Sequence, residues 1–151
     1  MRPFLFFATA ALIVISDQVS KWAIVTNLPK NVSRPAIGGF LDLRHTQNSG
    51  GAFSLLQAKP GVFIAIAVVA IAALCYAYWR SSRGDLLVSG AIALALGGAI
   101  GNLIDRVRFG YVVDFFDVGV WPVFNIADSA IVVGVSILAF RLLRASDARG
   151  T

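Results

Sequence analysis

The chain lacks glutamate altogether and has only one cysteine, Cys75, and one histidine, His45. A single cysteine excludes an intramolecular disulfide. The scarcity of His and Cys, together with the absence of an HExxH motif, argues against a metal hydrolase. All eight acidic residues are aspartates, so any carboxylate chemistry must use Asp, and we expect no cofactor.

Charge is also scarce, at 14% of residues, whereas 58% are hydrophobic and the mean hydropathy is +0.78. Soluble domains are about 45–50% apolar, so this composition indicates a membrane protein. The net charge of +5 does not form a basic stripe with interleaved aromatics, which argues against a nucleic-acid partner. We expect the basic residues near span ends to meet anionic lipid headgroups.

Four apolar stretches are long enough to cross a bilayer as helices. They cover residues 4–25, 61–79, 86–104 and 124–143, with extracytoplasmic segments at 26–60 and 105–123. The first stretch resembles a signal peptide, but no small-x-small cleavage site follows it. The prediction is an all-α membrane protein: a four-helix transmembrane bundle in one domain, residues 1–151, with a small β-containing extracytoplasmic domain.

Four spans place both termini on the same side of the membrane, together with the short turn that holds Arg80 and Arg83. We assign that side to the cytoplasm because its arginines cluster tightly against span ends, whereas the basic residues on the other side are dispersed. The reversed topology is the alternative. Within the third span, Gly97 and Gly101 form a GxxxG pattern that predicts close helix packing.

This assignment of spans places the polar residues together at the extracytoplasmic end of the bundle. They are Asp17, Lys21, Asn48, Asn102, Asp105, Arg106, Asp114, Asn125 and Asp128. An ionised Asp at the centre of a bilayer helix costs about 2.5–3.5 kcal/mol, so such residues usually have a function. Simpler interpretations remain open for two groups: an interfacial ion pair for Asp17 and Lys21, and a plain turn for residues 48–54.

Two carboxylates flank the aromatic segment 111–128, and they are the best candidates for hydrolysis. When two carboxyl groups share a site, one keeps a proton while the other acts as a general base on water. Asp114 and Asp128 suit this role. A Ser/Lys dyad could use Lys21 with Ser16, Ser20 or Ser129, but Asp17 lies one helical turn from Lys21 and would neutralise it.

The sequence resembles the lipoprotein signal peptidase family, also called signal peptidase II, through five motifs in order. They are DQxxK at 17–21, NxGxAFS at 48–54, GNLIDR at 101–106, VVDF at 112–115 and FNIADS at 124–129. The resemblance places the two catalytic aspartates at Asp114 and Asp128. It implies that Asp17, Lys21, Asn48, Gly50, Asn102, Arg106 and Asn125 support the site or contact substrate.

The resemblance also implies the reaction and its setting. The family is an aspartyl endopeptidase that removes the signal peptide of a prolipoprotein on the amino side of its diacylglyceryl-cysteine. The expected partners are therefore prolipoprotein substrates and membrane lipids, at the outer face of a bacterial cytoplasmic membrane, and we expect a monomer. The alternatives are a proton-coupled four-span transporter, which would place its ionisable residue near mid-span, and a structural scaffold, which would not need the polar cluster.

Overall fold

A computed structural model describes residues 3–50, 60–81 and 85–147. Residues 51–54 of the predicted NxGxAFS motif and Arg83 lie outside the described residues. In chain order the elements are α1 (Pro3–Asn27), β1 (Ser33–Ile37), β2 (Leu41–Asn48), α2 (Pro60–Ser81), α3 (Leu86–Phe109), β3 (Val112–Asp117) and α4 (Ile126–Asp147). All four helices are long and apolar enough to cross a membrane, and the predicted fold class is confirmed.

Helix α3 is the centre of the bundle and contacts each of the other three helices. Its small residues permit this close packing. A Cβ added at Gly97 would lie 2.7 Å from the backbone oxygen of Ala10 in α1, and one added at Gly101 would lie 2.6 Å from Oδ2 of Asp17. The two glycines of the GxxxG pattern therefore serve different contacts, one with helix backbone and the other with a buried carboxylate.

The apolar core lies between α1, α2 and α3. Phe6 is buried and stacks on Tyr78 of α2 with 3.7 Å between ring centroids, and both rings pack near Ile92 and Leu96 of α3. The outer surfaces of the helices expose many large apolar side chains. Lipid would solvate such surfaces, as expected for a bundle whose helices each have the length of a membrane span.

The three strands form one antiparallel sheet in the order β1-β2-β3. Strand β1 is exposed, whereas Val113 and Phe115 of β3 are buried against Ile24 of α1. Gly110 caps the C-terminal end of helix α3, and its φ of 79° turns the chain into β3. A bridge between Phe116 and Phe124 then returns the chain to the start of α4. The sheet is thereby fixed to one end of the bundle.

Helix α3 continues to Phe109, beyond residue 104 where the charge-free stretch ends. Asn102, Asp105 and Arg106 are consequently helical, on the turns next to the sheet. Helix α4 begins at Ile126, so Asn125 precedes it as the N-cap residue: its Oδ1 accepts a 2.8 Å hydrogen bond from the backbone N–H of Asp128. The sheet, the end of α3 and the start of α4 together surround the polar residues.

Candidate active site

Two carboxyl groups, Asp114 on β3 and Asp128 in the first turn of α4, lie at the junction of the sheet and the bundle. Asp114 is 1% exposed. Its Oδ1 accepts a 2.6 Å hydrogen bond from Asn125, and its Oδ2 accepts a 2.9 Å bond from Asn48. Asp128 accepts a 2.7 Å bond from Asn102. Three asparagines therefore present N–H groups to the two carboxyls.

Each of these asparagines has its amide oxygen fixed by a group that only donates. The oxygen of Asn48 accepts from the backbone N–H of Gly50 at 2.9 Å, and that of Asn125 accepts from the N–H of Asp128. The oxygen of Asn102 accepts from the ammonium of Lys21 at 3.0 Å. Because an amide that accepts on one side must donate on the other, all three are oriented with their NH₂ groups towards the carboxyls.

Lys21 belongs to a group of residues that we call the ion cluster (Asp17, Gln18, Lys21 and Asp105), in which all three charged side chains are buried. Its ammonium lies 2.8 Å from Asp17 and 2.9 Å from Asp105. With Asn102 these contacts use all three donors of the ammonium. Lys21 is only 3% exposed, so the interfacial ion pair considered from the sequence does not describe this structure, and the ammonium is not available to activate a serine.

The ion cluster also joins the helices. Oδ1 of Asp17 accepts from the backbone N–H of Ala127 at 3.0 Å, which ties α1 to the start of α4. Oδ2 of Asp105 accepts from the N–H of Val113 at 3.1 Å, which ties α3 to β3. Gln18 donates to Asp105 at 2.9 Å. Gln18 lies inside the DQxxK motif at 17–21, but it is not among the site residues predicted from the sequence.

Gly50 supports the site through its backbone. Its φ is +92°, a conformation that residues with a Cβ rarely adopt. A Cβ added there would also collide with the ring of Phe63. This conformation places the Gly50 N–H on the oxygen of Asn48, and it gives a physical reason for glycine at this position.

Arg106 carries a positive charge close to the two carboxyls and, among the described residues, keeps guanidinium donors free. Its Nη1 donates to the Asn102 carbonyl at 3.3 Å, and its guanidinium lies 5.8 Å from the ring centroid of Phe63. Its charge interacts with those of Asp128, Asp114 and Asp105, but in the described part of the chain it forms no ion pair within 4.0 Å. It can therefore bind a further acceptor.

The pKa of Asp114 is raised from 3.8 to about 6, chiefly because the carboxyl is buried; the charge of Asp128 also acts to raise it, and the hydrogen bonds from Asn48 and Asn125 act to lower it. Such opposing effects are typical of carboxyl groups that take part in acid–base chemistry. The arrangement suits a water molecule activated between two carboxyls that share one proton.

An apolar groove of about 430 Å³ ends at Asp128 and Ser129. Its walls come from Trp121 and Phe124 before α4 and from Val132 and Val133 within it. A groove of this composition can hold an alkyl chain or an apolar peptide segment beside the carboxyls. Among the described residues, no three His, Cys, Asp or Glu side chains are arranged to bind a metal ion.

Comparisons of the sequence and of the fold with known proteins lead to the same family. The family model described as "Signal peptidase (SPase) II" matches residues 9–144. A lipoprotein signal peptidase of Moorella thermoacetica is 47% identical, over 96% of this chain and 97% of its own, and one of Syntrophomonas wolfei is 46% identical, over 91% and 92%. A solved structure titled as a bacterial membrane enzyme superposes with a TM-score of 0.90 at 35% identity, covering 96% of this chain and 91% of its own.

Proposed function

The chain belongs to the signal peptidase II family, and from this premise we propose that it removes signal peptides from prolipoproteins with Asp114 and Asp128 as its catalytic pair. The family makes it an aspartic peptidase. The observation that carries the assignment of the pair is the set of three asparagines, which direct N–H groups at these two carboxyls. The other carboxyls of described burial are partly exposed, as for Asp42, Asp85 and Asp117, or belong to the ion cluster.

The proposed reaction uses one water and one shared proton. The ionised carboxyl removes a proton from the water, whose oxygen attacks the scissile carbonyl carbon. The protonated carboxyl donates a hydrogen bond to the carbonyl oxygen and stabilises its developing charge. As the tetrahedral intermediate collapses, the carbon–nitrogen bond breaks and the proton first taken from water passes to the leaving amine. The pair returns to its singly protonated state.

Two neighbouring side chains would hold the peptide in place. Arg106 has donors free and lies within the field of both aspartates, so we assign it to a backbone carbonyl of the substrate. Asn48 is exposed and donates to the same carboxyl as Asn125, so we assign it to the substrate backbone as well. The exclusion of bulk water by surrounding aromatic rings would strengthen each of these interactions.

The groove beside Asp128 supports a substrate with an apolar, lipid-linked segment. It opens between α4 and the aromatic residues 121 and 124, where the hydrocarbon chains of a diacylglyceryl group could enter from the bilayer. We propose that the bond cleaved lies on the amino side of the lipid-modified cysteine. A surface-anchored cysteine and carboxyls at the end of a bundle occupy the same depth.

We also propose that the site faces the outside of a bacterial cytoplasmic membrane, with both termini in the cytoplasm. Arg80, Arg141 and Arg144 lie at the ends of α2 and α4 opposite to the aspartate pair. Positive residues at span ends favour the cytoplasmic side. In a Cys75→Ala background, labelling of single cysteines introduced at residue 36 or residue 85 with a membrane-impermeant reagent on intact cells tests this orientation. Labelling at residue 85 alone would reverse it.

Cleavage by the purified enzyme tests the catalytic pair. We expect Asp114→Asn and Asp128→Asn each to abolish processing of a diacylglyceryl-modified precursor in detergent. Asp42→Asn is the matched control because Asp42 is a partly exposed carboxylate of the same sheet, whose side chain accepts one hydrogen bond among the described residues, from Ser33 of the edge strand β1. Full activity in either of the first two variants would refute the pair. Cleavage without an ion gradient would contradict the transporter alternative, and inhibition by a chelator would indicate a metal mechanism.

A further inference from the structure

Thr46 on β2 lies directly opposite Asp114 on β3. The two are Cα partners in the antiparallel register, so their side chains project from the same face with Cβ atoms about 4.5–5.5 Å apart. Asn48, two residues further along β2, lies on this face as well and donates to Asp114. The Asp114 carboxyl is therefore bordered by two side chains of β2, only one of which has an assigned role.

The hydroxyl of Thr46 is buried and has no hydrogen-bond partner in the described structure. By contrast, the hydroxyls of Thr9 and Thr26 donate to carbonyls of their own helix. An unsatisfied buried polar group costs about 1–3 kcal/mol, so a hydroxyl retained in such a place needs a partner in the working enzyme. The only other buried side-chain atom without a partner in the described residues, Nε2 of His45, belongs to the opposite face of β2.

The Asp114 carboxylate can accept this hydroxyl. A carboxylate has about four acceptor positions, and the described hydrogen bonds from Asn125 and Asn48 occupy two. Since one water can join groups whose separation exceeds direct hydrogen-bond reach, the cross-strand distance allows either a direct or a water-mediated contact. Threonine would supply a donor to the carboxylate without adding charge to the buried site.

We propose that Thr46 is a positioning residue for Asp114, whose hydroxyl donates to the Asp114 carboxylate, directly or through one water, in the hydrated site. The proposal rests on the proposed function, because it assigns Asp114 to the catalytic pair. The charged groups that face Asp114 are Asp128 from α4, Lys21 from α1 and Arg106 from α3. The hydroxyl would add to the N–H groups that favour the ionised carboxylate.

Thr46→Val tests this role because valine keeps the shape of threonine and removes only the hydroxyl. We expect kcat to fall about tenfold, as for loss of one hydrogen bond to a charged group. Both limbs of the kcat/KM pH profile should move to higher pH by up to about one unit, since the ionised pair has lost a donor. Thr46→Ser should restore kcat to within about twofold of the wild type and return the pH profile to its original position. Thr26→Val, the control in α1, should leave kcat and the pH profile unchanged.

A structural role alone would give a different pattern. If Thr46→Val lowers thermal stability and activity without moving the pH limbs, or if its profile equals that of the wild type, the proposal is wrong. A second measurement, thermal stability as a function of pH, does not depend on cleavage. The pH at which the protein loses the stability due to protonated Asp114 should be higher in Thr46→Val than in the wild type. A wild type that fails to cleave the precursor would refute the proposed function, and this measurement would still decide the role of Thr46.

Discussion

Replacement of Asp114 by Asn should abolish activity yet stabilise the folded protein at neutral and alkaline pH. The buried carboxyl has a pKa of about 6 in place of 3.8. Between these values the folded protein binds the proton more tightly than the unfolded chain does. The stability due to this proton is therefore complete below 3.8 and is lost as the pH rises through about 6.

The magnitude follows from the difference in pKa. About two units, at ~1.4 kcal/mol each, destabilise the folded wild type by about 3 kcal/mol above pH 7, and about 1.4 kcal/mol of this develops between pH 5 and pH 8. Asparagine carries no charge, so it avoids this cost. It offers only one oxygen to two amide donors, Asn48 and Asn125, which costs about 1 kcal/mol. The net gain at pH 8 is about 2 kcal/mol.

Thermal unfolding in detergent, followed by tryptophan fluorescence between about pH 5 and pH 8, measures this effect. For a chain of this size a gain of about 2 kcal/mol raises Tm by roughly 4–8 °C. Asp42→Asn, at a partly exposed position of the central strand of the same sheet, should follow the wild-type curve. An Asp114→Asn variant with the wild-type dependence on pH, or one less stable than wild type at pH 8, would refute the reasoning.

Three further variants test the structure around the pair. Lys21→Met leaves the two aspartates of the ion cluster without their cation, and should lower the free energy of unfolding by about 3–5 kcal/mol, an effect that denaturant titration should show to be smaller at acidic pH. Gly101→Ala would place a Cβ 2.6 Å from a carboxylate oxygen of that cluster, whereas a Cβ at the control position Gly90 meets nothing within 4 Å. We expect Gly101→Ala to lower the free energy of unfolding by about 1–3 kcal/mol, seen as a fall in Tm, and Gly90→Ala to leave Tm unchanged. Asn125→Asp keeps an oxygen to cap α4 but opposes Asp114 with a second carboxylate, so processing should fall at least tenfold while circular dichroism stays unchanged, and equal processing would contradict the donor role of Asn125.

The sequence predicted the four helices and the end of the bundle at which the polar residues gather, because charges are costly in an apolar chain and each must have a place. It did not predict how the amides orient. Asn102 and Asn125 are neutral residues whose roles depend on which donor reaches each oxygen, and those donors come from sequence positions 81 residues away for Lys21 and three residues away for the Asp128 N–H. A pattern of residue spacing can predict the contact across three residues, but not the contact across 81.

Thr46 shows a different limit. Alternation along a strand predicts which residues share a face, but not which residue of the partner strand lies opposite. The register between β2 and β3 shifts between Leu43 and Thr46, and an irregularity of this kind exchanges the faces of all residues beyond it. The position of Thr46 beside Asp114 therefore depends on one local feature that no periodicity in the sequence predicts.

Two of the asparagines, Asn48 and Asn125, also give the proposed catalytic pair a carboxyl that titrates near neutral pH. Burial and the charge of Asp128 both favour the protonated form of Asp114, and a carboxyl subject to these alone would hold its proton too tightly to act as a base. Two amide donors oppose that tendency and leave the pKa at about 6. Because the amide of Asn48 is oriented by Gly50 and that of Asn125 by the start of α4, the backbone itself sets this balance. A change in either backbone segment should therefore alter the pH dependence of cleavage before it alters the fold.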